Sequence, residues 1–154
     1  LKGKIDLSKF ETSKQKSVKS TTQKNIYIID TNVFVNCPDI ISKIDEHYQV
    51  VMSAKVIDEL DKLKIKLDAA NKKNVETALR LINKAMDKPN VSMELSDPDL
   101  LPNDFNKKSP DNNILTVALK FKNENPILLT SDNGLQVKAK GLRIATITLK
   151  DFLN

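Results

Sequence analysis

From residue 25 onward, short runs of β-branched and aromatic residues alternate with longer segments whose apolar residues recur every three or four positions. Few architectures accept such an alternation. A buried strand followed by a helix must cross back over the sheet before the next strand, which gives parallel strands with helices on both faces. The expected fold is α/β: a three-layer α/β/α sandwich around a central, mostly parallel sheet. At 154 residues the chain is long enough for one such domain.

Ile26-Tyr27-Ile28-Ile29 reads as a buried strand. Pro38 is expected to open a helix through about Glu46, and Tyr48 to Met52 to form a second strand. Ser53 is expected to cap the next helix, with Val56, Ile57, Leu60, Leu63 and Leu67 at helical spacing. A longer helix follows from about Asp68 to Asp87, with Val75, Leu79, Ile82 and Met86 on one face, and Pro89 stops it. Val91 to Leu95 alternates as a strand, and residues 96–108 read as a loop. Ser109-Pro110 is an N-cap followed by a first-turn proline, and Ile114, Leu115, Ala118, Leu119 and Phe121 continue that helix. Ile127 to Thr130 is another buried strand. Asn133 to Lys140 forms a short helix closed by Gly141. Arg143 to Ile147 is the last strand, and Thr148 caps a terminal turn.

Residues 1–24 break this pattern. They are rich in Lys, Ser, Thr and Gln and cannot bury enough apolar surface to offset the entropy of ordering. They are expected to be a basic flexible tail or linker, with the domain in residues 25–154. The formal net charge of +5 belongs to this end of the chain. Residues 1–25 carry seven Lys against Asp6 and Glu11, which leaves eighteen basic and eighteen acidic residues in the remainder. The tail serves either as a solvated linker or as a non-specific phosphate-binding arm.

Cys37 is the one cysteine and His47 the one histidine. A disulfide framework, a Cys/His zinc site and a Cys-His or Ser-His-Asp triad with a spare His are thereby close to excluded. Cys37 is expected in the core and His47 at a helix end. No apolar run approaches the roughly 20 residues that span a bilayer, and no apolar stretch follows the basic N-terminus. The expectation is a cytoplasmic protein without a membrane partner. Carboxylate, amide and hydroxyl groups remain for chemistry.

In a sheet of this type, ligands bind outside the carboxyl ends of the strands. Asp30 directly follows the first strand, and Asp132 lies two residues past Thr130. Glu59 falls in the first turns of the helix after the second strand, and Asp111 in the first turn of the helix that Ser109 caps. Four acids distant in sequence thus converge on one edge. Each also has an ordinary role open to it. Asp30 can end a strand in a turn, Glu59 can sit on a solvated helix face, Asp111 can complement a helix N-terminus, and Asp132 can be an N-cap. Crowded carboxylates repel one another, and a divalent cation relieves the repulsion. Oxygen ligands without His or Cys favour Mg²⁺ or Mn²⁺ over zinc.

Ile28-Ile29-Asp30-Thr31-Asn32-Val33-Phe34 resembles the first motif of the PIN domain, and Val56-Ile57-Asp58-Glu59-Leu60 its second. Asp111-Asn112-Asn113-Ile114-Leu115-Thr116-Val117-Ala118 resembles the third motif, and Leu129-Thr130-Ser131-Asp132 the fourth. Their order and spacing agree over about residues 25–154. The likeness is greatest to the PIN domains of PhoH-like ATPases and more distant to VapC-type toxins. It implies an α/β/α nuclease fold in which Asp30, Glu59, Asp111 and Asp132 bind Mg²⁺ or Mn²⁺ and hydrolyse RNA phosphodiesters. Thr31 and Asn32 match polar positions that orient the first acid or a water, and Thr130 matches the hydroxyl before the fourth acid. Many family members carry another acid two residues past the fourth. Here that position is Gly134, with Asn133 a weaker donor beside it, so the resemblance does not extend to a fully occupied second metal site.

The resemblance makes single-stranded RNA the expected partner and leaves open a fused ATPase domain, an antitoxin or a homodimer. Two other Asp-based readings fit poorly. A haloacid-dehalogenase-type phosphatase needs a second Asp where Asn32 stands, and a receiver domain needs a Lys directly after its last strand, where Thr148 stands. The alternative from another class is a PIN fold that binds RNA or a protein with little turnover. Against a base-stacking surface stand an aromatic content of 5% and the lack of Trp.

Overall fold

The computed structural model describes residues 24–66 and 68–154. Nearly all of the tail expected over residues 1–24 lies outside the described residues, as does Leu67. The described chain runs β1 (Ile26–Ile29), α1 (Thr31–Asn36), β2 (Gln49–Ser53), α2 (Ala54–Lys66) and α3 (Ala69–Ala85). It continues with β3 (Val91–Glu94), α4 (Pro110–Lys120), β4 (Pro126–Leu129), α5 (Asn133–Gly141), β5 (Ala145–Ile147) and α6 (Leu149–Leu153). The strands form a five-stranded sheet in the order β3-β2-β1-β4-β5, with every pairing parallel.

The central place of β1 follows from its sequence. All four of its residues are buried, which a strand requires when both sheet faces are covered. Ile28 pairs with Val51 on one side and Leu128 on the other. From β1 the chain winds outward through β2 and β3, then returns to the far side of β1 for β4 and β5. Right-handed crossovers place the helices of these two windings on opposite faces. α1, α2 and α3 pack on one another, and α4 packs on α5 while also touching α2. Ile28, Ile29, Phe34, Met52, Leu60, Ile114, Leu115, Leu128 and Leu129 fill the core between the layers. The winding reverses between β1 and β4, so a crevice opens at their carboxyl ends.

Several local expectations change. The helix expected from Pro38 is only a 3₁₀ turn, Ile40–Lys43, and an unexpected helix, α1, starts immediately after Asp30. Six residues cannot hold a helix alone. Val33 and Phe34 bury its inner face, and Asn74 of α3 donates from Nδ2 to the otherwise unpaired Val35 carbonyl at 3.2 Å. His47 does not end a helix; it is exposed in a turn, with its N–H donating to Asp45 Oδ1 at 2.8 Å and Nδ1 2.7 Å from the same oxygen. Cys37 is buried, as expected.

α3 ends at Ala85, which leaves Met86 exposed rather than on the inner face. The loop after β3 contains a 3₁₀ turn, Pro98–Leu100, fastened to α4 by the Asp97 N–H donating to Thr116 Oγ1 at 3.0 Å. Gly141 is the last residue of α5, and the left-handed backbone falls instead on Arg143, with φ 65°. The caps at Ser109 and Thr148 form where the sequence places them, and Asp68 caps α3.

Candidate active site

Asp30 stands at the carboxyl edge of β1 and is only 4% exposed. Its N–H still belongs to the sheet, donating to the Leu129 carbonyl at 3.0 Å. Its side chain caps α1: Oδ1 accepts the Thr31 N–H at 2.8 Å, and Oδ2 accepts the Thr130 hydroxyl at 2.7 Å. Two hydrogen bonds do not repay the lost hydration of a carboxylate. Burial pushes the Asp30 pKa from 3.8 up to about 6; the charges of Asp111 and Asp132 push the same way, against the hydrogen bonds from Thr130 and Thr31.

Two hydroxyls connect the sequence motifs. Thr130 is fully buried, donates to Asp30, and accepts the Asp132 N–H at 3.1 Å. It therefore ties the first acid to the fourth. Thr31 gives its N–H to Asp30 and its hydroxyl to Glu59 Oε1, at 2.9 Å. It orients the first acid with its backbone and the second with its side chain.

Asp111 is half-buried in the first turn of α4. That position favours a negative charge, yet its pKa is raised. Burial is the main cause, followed by the charges of Asp132 and Glu59, with Lys138 opposing. Asp132 is exposed and caps α5, its Oδ1 accepting the Leu135 N–H at 2.8 Å. Gly134 leaves this carboxylate room, because a Cβ there would lie 3.3 Å from Asp132 Oδ1. Asn133, exposed at the start of α5, sits next to it.

A cleft of about 330 Å³ opens over this edge. Asp30, Thr31, Asn32, Glu59 and Asp111 line it, together with Lys62, Leu63 and Lys66 of α2. Asp132, Thr130 and Asn133 lie outside that lining, so three of the four acids share the cleft. The fourth reaches it through Thr130 and through its charge. Three ordinary roles are real: Asp30 and Asp132 are caps, and Asp111 sits at a helix N-terminus. None of them calls for burying Asp30 among other acids at a cost that lifts its pKa.

Among the described residues, no group of three or more Asp, Glu, His or Cys side chains is assembled as a ready metal cage. The donor chemistry nonetheless fits a hard divalent cation. The donors are oxygens, and mutual repulsion between carboxylates is what a cation would remove. The sequence reading did not name Lys62, Leu63 and Lys66. Their signal was present: they follow Glu59 by three, four and seven residues, the spacing of one helix face.

The structure resembles a domain of a functionally unknown protein from Methanocaldococcus jannaschii, with 24% identity, a TM-score of 0.56, and coverage of 82% of this chain and 91% of that one. It also resembles a PilT N-terminus domain protein from the archaeon Sulfolobus solfataricus, with 16% identity, a TM-score of 0.51, and coverage of 83% and 90%. At these identities the likeness establishes the fold. No curated protein matches the chain. The family model described as PIN domain matches residues 27–150, from the second residue of β1 to the second residue of α6, and spans all four acids. The chain belongs to the PIN domain family.

Proposed function

We propose that this protein is a Mg²⁺- or Mn²⁺-dependent endoribonuclease that hydrolyses phosphodiester bonds of single-stranded RNA. The observation that carries the reading is the buried carboxylate of Asp30, tied through Thr130 to Asp132 and through Thr31 to Glu59, opening on a cleft that Asp111 shares. Kinship with the PIN domains of PhoH-like ATPases is part of the same proposal.

Asp30, Glu59, Asp111 and Asp132 would hold the cation. When bound, the cation supplies charge neutralisation at the phosphate and a water acidic enough to act as nucleophile near neutral pH. Asp30 must be ionised to serve as a ligand, so below about pH 6 its proton would compete with the ion. Thr130 keeps the Asp30 carboxylate fixed, and Thr31 does the same for Glu59. Lys66, on the α2 wall, attracts the phosphate backbone to a cleft that would otherwise repel it, and Lys62, paired with Asp58, adds less. Leu63 excludes water between them. No histidine takes part, since His47 is exposed in a turn outside the cleft.

The test is cleavage of end-labelled single-stranded RNA with and without Mn²⁺, by the parent protein and by Asp30→Asn. The expected result is Mn²⁺-dependent internal cuts that the variant does not make. The second reading, an RNA-binding PIN fold with little turnover, draws on the lack of a ready metal cage among the described residues. RNA binding without cuts, in Mn²⁺ and in Mg²⁺, would decide for it.

A further inference from the structure

The lysines near the cleft differ in how their charge is used. Lys62 pairs with Asp58 at 3.2 Å, and Lys64 with Asp61 at 2.7 Å, each one turn away on α2. Lys138 of α5 makes no ion pair among the described residues. Its ammonium donates instead to the side-chain carbonyl of Asn112, Nζ to Oδ1 at 2.8 Å. An amide oxygen is neutral, so it fixes the ammonium without cancelling its charge. An ammonium carries three N–H donors, and one is enough for this bond.

The anchor is itself held firmly. Asn112 is 2% exposed, its Nδ2 donates to the Asn106 carbonyl at 2.9 Å, and its N–H donates to Ser109 Oγ at 3.4 Å. Asn112 follows Asp111 directly, and the Lys138 charge acts on Asp111. Lys138 of α5 therefore stands beside Asp111. Next to it is a second cavity of about 340 Å³, lined by Asp104, Phe105, Asn106, Ser109, Asn112 and Lys138. The lining offers one aromatic ring, amide and hydroxyl groups and one ammonium. Asp104 is its only carboxylate and is exposed.

We propose that Lys138, anchored on Asn112, binds the backbone phosphate adjoining the one cleaved, and that the cavity beside Phe105 receives the nucleotide bearing that phosphate. This rests on the nuclease reading and deepens it. Single-stranded RNA would cross the acids with Lys66 and Lys138 both in reach of its phosphates. Pre-fixing the ammonium reduces the side-chain entropy lost when a phosphate binds. A positive charge outside the carboxylate set also lets the strand bind where four acids would repel it.

The test uses Lys138→Gln and Lys138→Arg in the full chain. Gln keeps a donor for the Asn112 oxygen and removes the charge; Arg keeps the charge. A fluorescent single-stranded oligoribonucleotide is titrated in metal-free buffer over a range of salt, and Mn²⁺-dependent cleavage gives kcat and KM. For Lys138→Gln the expected result is a Kd higher by roughly three- to tenfold and a log Kd–log salt slope flatter by about 0.7, the loss of one phosphate contact. KM rises more than kcat falls, and Lys138→Arg restores affinity and slope. A folded Lys138→Gln protein with parental Kd and slope overturns the inference while leaving the nuclease reading intact. If Lys138→Gln melts early, Lys138→Arg decides: a parental slope supports the role of the charge, and a flattened one overturns it. A parent protein that neither binds nor cuts the RNA overturns both.

Discussion

Replacing Asp30 by Asn should stabilise the metal-free protein near neutral pH and destabilise it in acid. The sign follows from the carboxyl group. Its pKa in the folded chain is about 6, above the ordinary 3.8, so the folded state holds the proton more tightly than the unfolded state. Stability of the parent therefore falls as pH rises from about 3.8 to about 6 and is level with respect to this group above that. At about 1.4 kcal/mol per pH unit, the ionised carboxylate costs about 3 kcal/mol at neutral pH.

Asn removes this cost and keeps the cap, because its Oδ1 can accept the Thr31 N–H. Its Nδ2, however, replaces an oxygen that accepted the Thr130 hydroxyl. Thr130 Oγ1 already accepts the Asp132 N–H and has a lone pair left for the amide, but its own proton loses its acceptor. A buried donor left unpaired costs about 1–2 kcal/mol. The net effect is a gain of about 1–2 kcal/mol at neutral pH, or about 3–6 °C in Tm. Below about pH 4 the electrostatic gain vanishes and the variant is less stable by about 1–2 kcal/mol. Urea unfolding of both proteins in chelator, from acid to neutral pH, measures the difference and cancels the titrations that they share. A variant less stable than the parent at neutral pH, or a difference that does not change with pH, refutes the reasoning.

Three further outcomes follow from the same geometry. Thr130→Val preserves shape but strips the buried Asp30 carboxylate and the Asp132 N–H of their partner, so urea unfolding at neutral pH should show a loss of about 2–3 kcal/mol. Asp111→Asn and Asp132→Asn should each raise the metal-free Tm by relieving repulsion; Mn²⁺ should raise the parent Tm by about 2.7 kcal/mol worth of stability at a hundredfold excess over Kd, and calorimetry should find that shift smaller in both variants. Deleting residues 1–24 should leave Mn²⁺-dependent cleavage and RNA affinity unchanged if the tail is a linker, whereas an affinity loss with a flatter salt slope in a binding titration would show it to be a phosphate-binding arm.

The sheet was legible because burial writes itself into sequence. A strand covered on both faces must be apolar throughout, and β1 and β4 each show that run between polar turns. Parallel winding then places the ends of those strands, and the starts of the helices that follow, at one edge. That is why position along the chain alone groups Asp30, Glu59, Asp111 and Asp132 at one edge. The caps at Ser109 and Thr148 are equally legible, since a cap is a bond between a side chain and a backbone N–H two or three residues on.

The rest was decided by contacts between distant residues. Helix α1 carries the β-branched residues Thr31, Val33 and Val35, poor helix formers, and exists because α3 lies against it and Asn74 supplies its missing donor. The left-handed turn after α5 falls on Arg143 instead of Gly141, where local preference would put it, because the chain turns there to enter β5 at Ala145. At the site, the sequence determines which carboxylates reach the edge but not how they are coupled. Thr130 to Asp30 and Thr31 to Glu59 are hydrogen bonds across 100 and 28 residues of chain. The raised pKa of Asp30 arises from the layers that cover it, and the free charge of Lys138 from a neutral amide 26 residues away. Periodicity reports which face of an element is buried; only the packed structure determines which polar atoms meet there, because hydrogen bonds form over angstroms whatever the distance along the chain.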